Sequence, residues 1–402
     1  MNKFVVRIIA TVALFRIDAA VASVSSPPDE RVYTVVEDTS VVFTSCDSIR
    51  ICGTLTTPKK CKNFPTVILI SGSGKQNRDG DMAGHSMFRD IAHHLSARGI
   101  AVLRMDDRGT GQSTGRYEYA TTADFAADAL AAFEYLKTKK GINKERIGLL
   151  GHSEGAAAAC IAAAQNKEVA FVISLAGLLS DGLSSVISQN YDLVESSAMK
   201  ERDKQRYHQI MALMARTAYD YADSDSLQTK IYERHDIWKS ADTSRFKALW
   251  GDEQDTFRFP VWFYANEASN RWYRFFIRYN PADYMKHIHV PFLAINGEKD
   301  AMVNAKLNLG TARQLMGHNP RFQTLLLPGL NHLLLPCEKG TPDEYRSIKA
   351  PLSADVLKAV TDFILTLYIK GSALPFIVFY SCHFGRRFSK NARPPSCASS
   401  VM

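Results

Sequence analysis

The stretch Arg146-Ile147-Gly148-Leu149-Leu150-Gly151-His152-Ser153-Glu154-Gly155-Ala156 decides the fold. A short apolar run of strand type leads into it, and an alanine-rich segment of helical character, Ala156 to Ala164, leads out. Glycines two before and two after Ser153 permit a strand-to-helix turn tight enough to hold the serine hydroxyl above a sheet. The next backbone N–H then points at the same place. This is the setting of a nucleophile elbow, and Ser153 is the expected nucleophile. The bland alternative is an ordinary tight turn, so the weight falls on what else the chain supplies.

Working outward, the short apolar runs Thr66 to Ile70, Ala101 to Met105, Arg146 to Leu150, Phe171 to Leu175, Phe292 to Ile295 and Gln323 to Leu327 read as strands buried on both faces. Helical spacing over His85 to Ala97, Thr122 to Thr138, Glu154 to Ala164, Ala305 to Met316 and Ala354 to Leu367 separates them. Residues 32 to 57 alternate in β fashion about Cys46-Asp47-Ser48, as an antiparallel hairpin at a sheet edge does. The expectation is an α/β domain, a mostly parallel doubly wound sheet with an N-terminal antiparallel hairpin. The alternation fails over 179–289, which is predicted to be an inserted helical cap between core segments 30–178 and 290–369. All four tryptophans, at 238, 250, 262 and 272, fall inside that insertion. They are expected either to glue it to the core or to line a substrate site.

A serine hydroxyl needs a base to take its proton and a carboxylate to orient that base. Asp300 follows a strand in Gly297-Glu298-Lys299-Asp300, and His332 follows the next in Pro328-Gly329-Leu330-Asn331-His332. Both loops leave carboxyl ends of strands, where sites form in such sheets. Asp300 is therefore the expected acid, with Glu298 its rival, and His332 the expected base. An oxyanion would need two backbone donors. The N–H of Glu154 is one, and the N–H of Ser73, in Ser71-Gly72-Ser73-Gly74, is the other, with Gly74 as its neighbour in contention. The Glu154 side chain receives no role beyond a favourable charge at a helix start. Arg78 and Arg108 could meet a substrate carboxylate, but internal ion pairs are the favoured reading.

Composition excludes several classes. The net charge of +8 is carried mainly by the ends: residues 370–402 hold five basic and no acidic residues and residues 1–22 a net of two positive charges, leaving a near-neutral body with no polyanion-binding face. Nucleic acid is therefore not an expected partner; a small ester or amide is. Seven cysteines show neither metal spacing nor the density of a disulfide scaffold, although Cys46 and Cys52 could face each other across the hairpin. No metal and no cofactor is called for. Residues 1–22 outline an export signal, so an exported protein is expected, and residues 370–402 read as a disordered tail. No apolar run is long enough for stable membrane insertion.

Taken together, these motifs resemble α/β-hydrolase fold serine hydrolases of the esterase and serine-aminopeptidase-like branch. The likeness is strongest to bacterial esterases with a Ser-Gly-Ser-Gly-x-x-x-Arg-Asp loop. It rests on Ser71 to Gly74 with Arg78-Asp79, on Asp107-Arg108-Gly109-x-Gly111-x-Ser113, on Gly151 to Gly155, on Gly297-x-x-Asp300 and on Asn331-His332. Ser71 stands where many relatives have histidine. The resemblance implies hydrolysis of carboxylic esters with short acyl groups, a helical cap after the sixth strand, and no cofactor. An amidase or aminopeptidase that binds an amine through Asp220, Asp223 or Asp225 is the alternative, and a non-catalytic binding protein on the same scaffold is a distant third.

Overall fold

A computed structural model describes residues 36–59, 62–242 and 259–368. The expected export segment and C-terminal tail lie outside the described residues, as does Trp250. Eight strands make the sheet: β1 Val36–Thr44, β2 Arg50–Pro58, β3 Phe64–Ile70, β4 Ala101–Met105, β5 Ile142–His152, β6 Val172–Leu175, β7 Phe292–Gly297 and β8 Phe322–Leu327. Their order is β1-β2-β4-β3-β5-β6-β7-β8. Pairings β1 with β2 and β2 with β4 are antiparallel, and the remaining five are parallel. The fold is the α/β-hydrolase fold expected from the sequence.

The hairpin turn between β1 and β2 places Asp47 and Ser48 in the left-handed region, at φ 61 and 57, which aspartate tolerates better than most side chains. Cys52 pairs with Val42 in the ladder while Cys46 lies in the turn, so the two cysteines do not face each other and both are free thiols.

Residues of the central strands alternate between two apolar layers, as a period of two requires. Ile68, Ile70, Leu103 and Leu149 join one layer with helices α2 (Thr122–Lys137) and α3 (Glu154–Gln165). Val67, Leu69, Val102 and Leu150 join the other with α1 (Met87–Ser96) and the last described helix, α11 (Ala354–Thr366). Helix α1 starts two residues later than its periodicity suggests, because His85–Ser86 pairs with Asp81–Met82 in a short bridge instead. Strand β5 is longer than its apolar run, since Ile142 pairs with Phe64 ahead of a register shift.

Between β6 and β7 the chain forms helices α4 (Gly182–Glu195), α5 (Glu201–Asp220), α6 (Leu227–Ala241), α7 (Val261–Ala268), α8 (Arg271–Arg278) and the short α9 (Ala282–Met285). Their buried residues, such as Tyr207, Met214, Ile231 and Ile277, join the layer formed by α2 and α3. Helix α10 (Ala305–Met316) then connects β7 to β8.

Why α3 is built of alanine and glycine is visible at its first turn. Ala156 to Ala159 are fully buried, and a Cβ on Gly151 would sit 2.1 Å from the Gly155 carbonyl oxygen. One on Gly155 would sit 2.2 Å from the Ile70 carbonyl oxygen. Both neighbours are backbone and cannot step aside, so the β5–α3 turn packs against the end of β3 only without side chains here. Gly151→Ala and Gly155→Ala are each expected to lower the unfolding free energy by about 1–3 kcal/mol, the usual cost of overpacking. Urea unfolding checks this, and wild-type midpoints in both variants would contradict so tight a turn.

Candidate active site

Ser153 sits between β5 and α3 at φ 56 and ψ −123, a backbone region that costs a non-glycine residue about 1–3 kcal/mol unless its surroundings enforce it. Here they do. The Ser153 N–H donates to the Leu175 carbonyl at 3.1 Å, and its own carbonyl accepts from Ala156 and Leu178 at 3.1 and 2.9 Å. The conformation lifts the side chain off the sheet and into a cavity of about 70 Å³ that is also lined by His332, Gly72, Leu178, Met302, Trp272 and Phe276.

Asp300 and His332 come together beside it. Past β7, Asp300 Oδ1 accepts the backbone N–H groups of Met302 and Val303 at 2.9 and 2.8 Å, which fixes the carboxylate. Its other oxygen lies 2.9 Å from His332 Nδ1. The Asp300 side chain has no exposure to solvent, whereas the rival Glu298 is exposed and, among the described residues, accepts the Gly329 N–H alone, at 3.3 Å. The His332 loop is shaped by Asn331, whose side-chain oxygen takes the N–H groups of Leu333 and Leu335 at 2.9 and 3.1 Å. A carboxylate accepts only, so Nδ1 carries the proton and Nε2 is left as the basic nitrogen. Ser153 Oγ makes no hydrogen bond to it in the structure.

His152 packs under this pair. Its ring lies 4.7 Å from that of His332, and its Nε2 donates to the His332 carbonyl at 2.9 Å. Burial, followed by the neighbouring His332, pushes its pKa down to about 3, so it is a neutral donor that braces the His332 backbone.

The loop after β3 passes directly over the serine. A Cβ on Gly72 would fall 2.8 Å from Ser153 Cβ and 3.4 Å from its Oγ, so glycine is needed there for close approach. Asp107 ties the loop at both ends, accepting from the Ser71 hydroxyl and, at 2.8 Å, from the Gln76 N–H. Burial raises its pKa to about 7, against the pull of those two donors. The Gly74 N–H is spent on the Tyr117 hydroxyl at 2.7 Å, which removes Gly74 from contention as an oxyanion donor.

Glu154 is the residue sequence reasoning underrated. Its side chain is 2% exposed rather than a solvated charge at a helix start. It accepts from Ser73 Oγ at 2.6 Å, Thr122 Oγ1 at 2.6 Å and Trp272 Nε1 at 2.8 Å. Burial raises its pKa while the three donors oppose that rise. The only sequence signal was a carboxylate on an otherwise apolar helix. Trp272 lines the cavity, whereas Trp262 is 61% exposed and Trp238 packs on the core.

The remaining polar candidates are braces. Arg78 pairs with Asp106 at 2.5 Å, and Arg108 makes a bidentate contact to Asp128, through Nε and Nη2, each at 2.8 Å. Asp220 and Asp223 pair with Arg234 and Arg278, and neither they nor Asp225 line the cavity. Among the described residues no group of His, Cys, Asp and Glu could hold a metal ion, and no helix is long and apolar enough to cross a membrane.

Comparison with known proteins adds the relatives. Residues 81–245 match the family model described as serine aminopeptidase, S33, a segment that includes the Ser153 turn and ends before Asp300 and His332. Esterase EstD of Thermotoga maritima is 26% identical over 294 residues, which is 73% of this chain and 60% of EstD. The chain thus spans less than two thirds of that relative's length. Among solved structures, Est1E of Butyrivibrio proteoclasticus with bound ferulic acid matches at TM-score 0.46 and 18% identity over 81% of this chain and 98% of that one. Pyrococcus furiosus esterase Pf2001 matches at 0.46 and 17% over 76% and 87%. By strand order the chain has the α/β-hydrolase fold, and over residues 81–245 it is similar to the serine aminopeptidase S33 family, with an esterase among its relatives.

Proposed function

We propose that this protein is a serine hydrolase that cleaves carboxylic esters carrying short acyl groups. The observation that carries the reading is the convergence of a strained serine and an Asp-oriented histidine on one cavity. His332 Nε2 takes the proton of Ser153 Oγ as that oxygen bonds to the ester carbonyl carbon, and Asp300 stabilises the imidazolium that results. The oxyanion is held by the N–H groups of Ser73 and Glu154, neither of which has an acceptor among the described residues. Collapse expels the alcohol, which receives the proton from His332, and leaves an acyl-enzyme. Water, deprotonated by the same histidine, then releases the acid and restores the serine. The Ser153–His332 hydrogen bond forms as substrate seats, a tightening common to such sites.

The size of the cavity supports the short-acyl reading, since about 70 Å³ is far below the roughly 300–1,000 Å³ of pockets for drug-sized ligands. Its lining holds no Lys or Arg among the described residues, which favours an uncharged acyl group. The name of EstD agrees with ester cleavage. For an aminopeptidase, the amine would need a free carboxylate, and among the described residues the one carboxylate lining the cavity, Glu154, already accepts three hydrogen bonds.

Steady-state turnover of p-nitrophenyl acetate tests the roles. Ser153→Ala and His332→Ala are expected to abolish it with circular dichroism unchanged, and Asp300→Asn to lower kcat by about 10⁴ through the wrong histidine tautomer. An active Asp300→Asn beside an inactive Glu298→Gln would reassign the acid. In a second comparison, p-nitrophenyl acetate is expected to outpace p-nitrophenyl decanoate and an aminoacyl anilide; preference for the anilide would overturn ester hydrolysis in favour of amide cleavage.

A further inference from the structure

A buried carboxyl group is costly unless its oxygens are matched by donors, and Glu154 is matched from three separate parts of the chain. Ser73, whose hydroxyl reaches Oε2 at 2.6 Å, belongs to the loop after β3. Thr122, 2.6 Å from Oε1, is the first residue of α2, behind the capping box of Thr121 and Asp124. Trp272, whose indole N–H reaches the same Oε1 at 2.8 Å, belongs to α8 in the insertion between β6 and β7. Through this one side chain the core, the loop over Ser153 and the insertion meet at the cavity wall.

We propose that Glu154 is a positioning residue that clamps the insertion to the oxyanion donors. The proposal rests on the serine-hydrolase reading above. Glu154 supplies one expected donor with its own N–H, and its carboxylate tethers the side chain of Ser73, which supplies the other. Both N–H groups are therefore referenced to one anchor, whose place is set in turn by the Trp272 indole. That indole stacks on Phe276 at 4.9 Å and 27° and lines the cavity beside Ser153. A substrate acyl group that presses on Trp272 presses on the anchor of the donors, so filling the cavity and aligning the oxyanion site become one event. Because the donors act on charge that develops only in the transition state, loosening them lowers kcat more than it alters KM.

The test uses the full chain with Ser73→Ala, which keeps the backbone N–H, Trp272→Phe, which keeps the ring and loses the donor, their double variant, and Glu154→Gln. With p-nitrophenyl acetate, each of the first two is expected to lower kcat about tenfold with KM within about twofold, short of the ~10²- to 10³-fold loss for deleting a donor outright. The double variant is expected to lose less than the product of the singles, because both act through one carboxylate. Amide hydrogen exchange supplies the readout that does not depend on turnover. Trp272→Phe is expected to raise exchange across residues 71–76, and Ser73→Ala to raise it across 271–278. Should Glu154→Gln fail to fold, those two variants still decide. Unchanged kcat in both, or faster exchange confined to the altered segment, overturns the clamp. If the unaltered protein cleaves no ester, the hydrolase reading fails, and exchange alone decides the clamp by the same criterion.

Discussion

Everything at the site depends on how closely the turn at Ser153 approaches the end of β3. With hydrogen in place of side chains at Gly151 and Gly155, α3 begins against the Ile70 carbonyl, and the loop that follows β3 crosses over the serine at Gly72. That approach forces Ser153 into a left-handed backbone held by Leu175, Ala156 and Leu178. Ser73 and Glu154 line the same cavity as Ser153. Strain of this kind persists only where the surroundings over-determine it, and the fully buried alanines of α3 supply that rigidity.

A second layer of polar bracing holds the loops against this rigid turn. Asp107 ties Ser71 to Gln76, Asp106 holds Arg78, Asp128 holds Arg108, and His152 supports the His332 carbonyl. Each is a buried or half-buried polar group with matched partners, the condition under which such groups fix geometry rather than destabilise it. The carboxylate of Asp300 is treated likewise: one oxygen is consumed by two backbone donors, so the other has a single direction in which to meet His332.

Much of this was legible in the chain because local rules and global fold agree. Strands such as Phe292–Gly297 are too apolar to be anything but central, and Ser153, Asp300 and His332 each follow a strand in the order the sheet requires. What escaped was tertiary. Glu154 reads as a helix-start charge because its three partners lie 81, 32 and 118 residues away. The short start of α1 depends on pairing with Asp81–Met82, which two residues of sequence do not announce. That the Gly74 N–H is taken up by the Tyr117 hydroxyl could not be foreseen either, since Tyr117 has no motif around it. Of the four tryptophans, only contact geometry separates Trp272 at the cavity from Trp262 in solvent.

The central claim is that Ser153 is activated by its surroundings, and a serine-directed fluorophosphonate measures that directly. Intact-mass analysis of the folded protein should find one added phosphonyl group, mapped to Ser153 by peptide analysis, absent from Ser153→Ala and formed far more slowly in His332→Ala. A folded protein that stays unlabelled, or one labelled at the same rate without the imidazole at 332, would contradict the account.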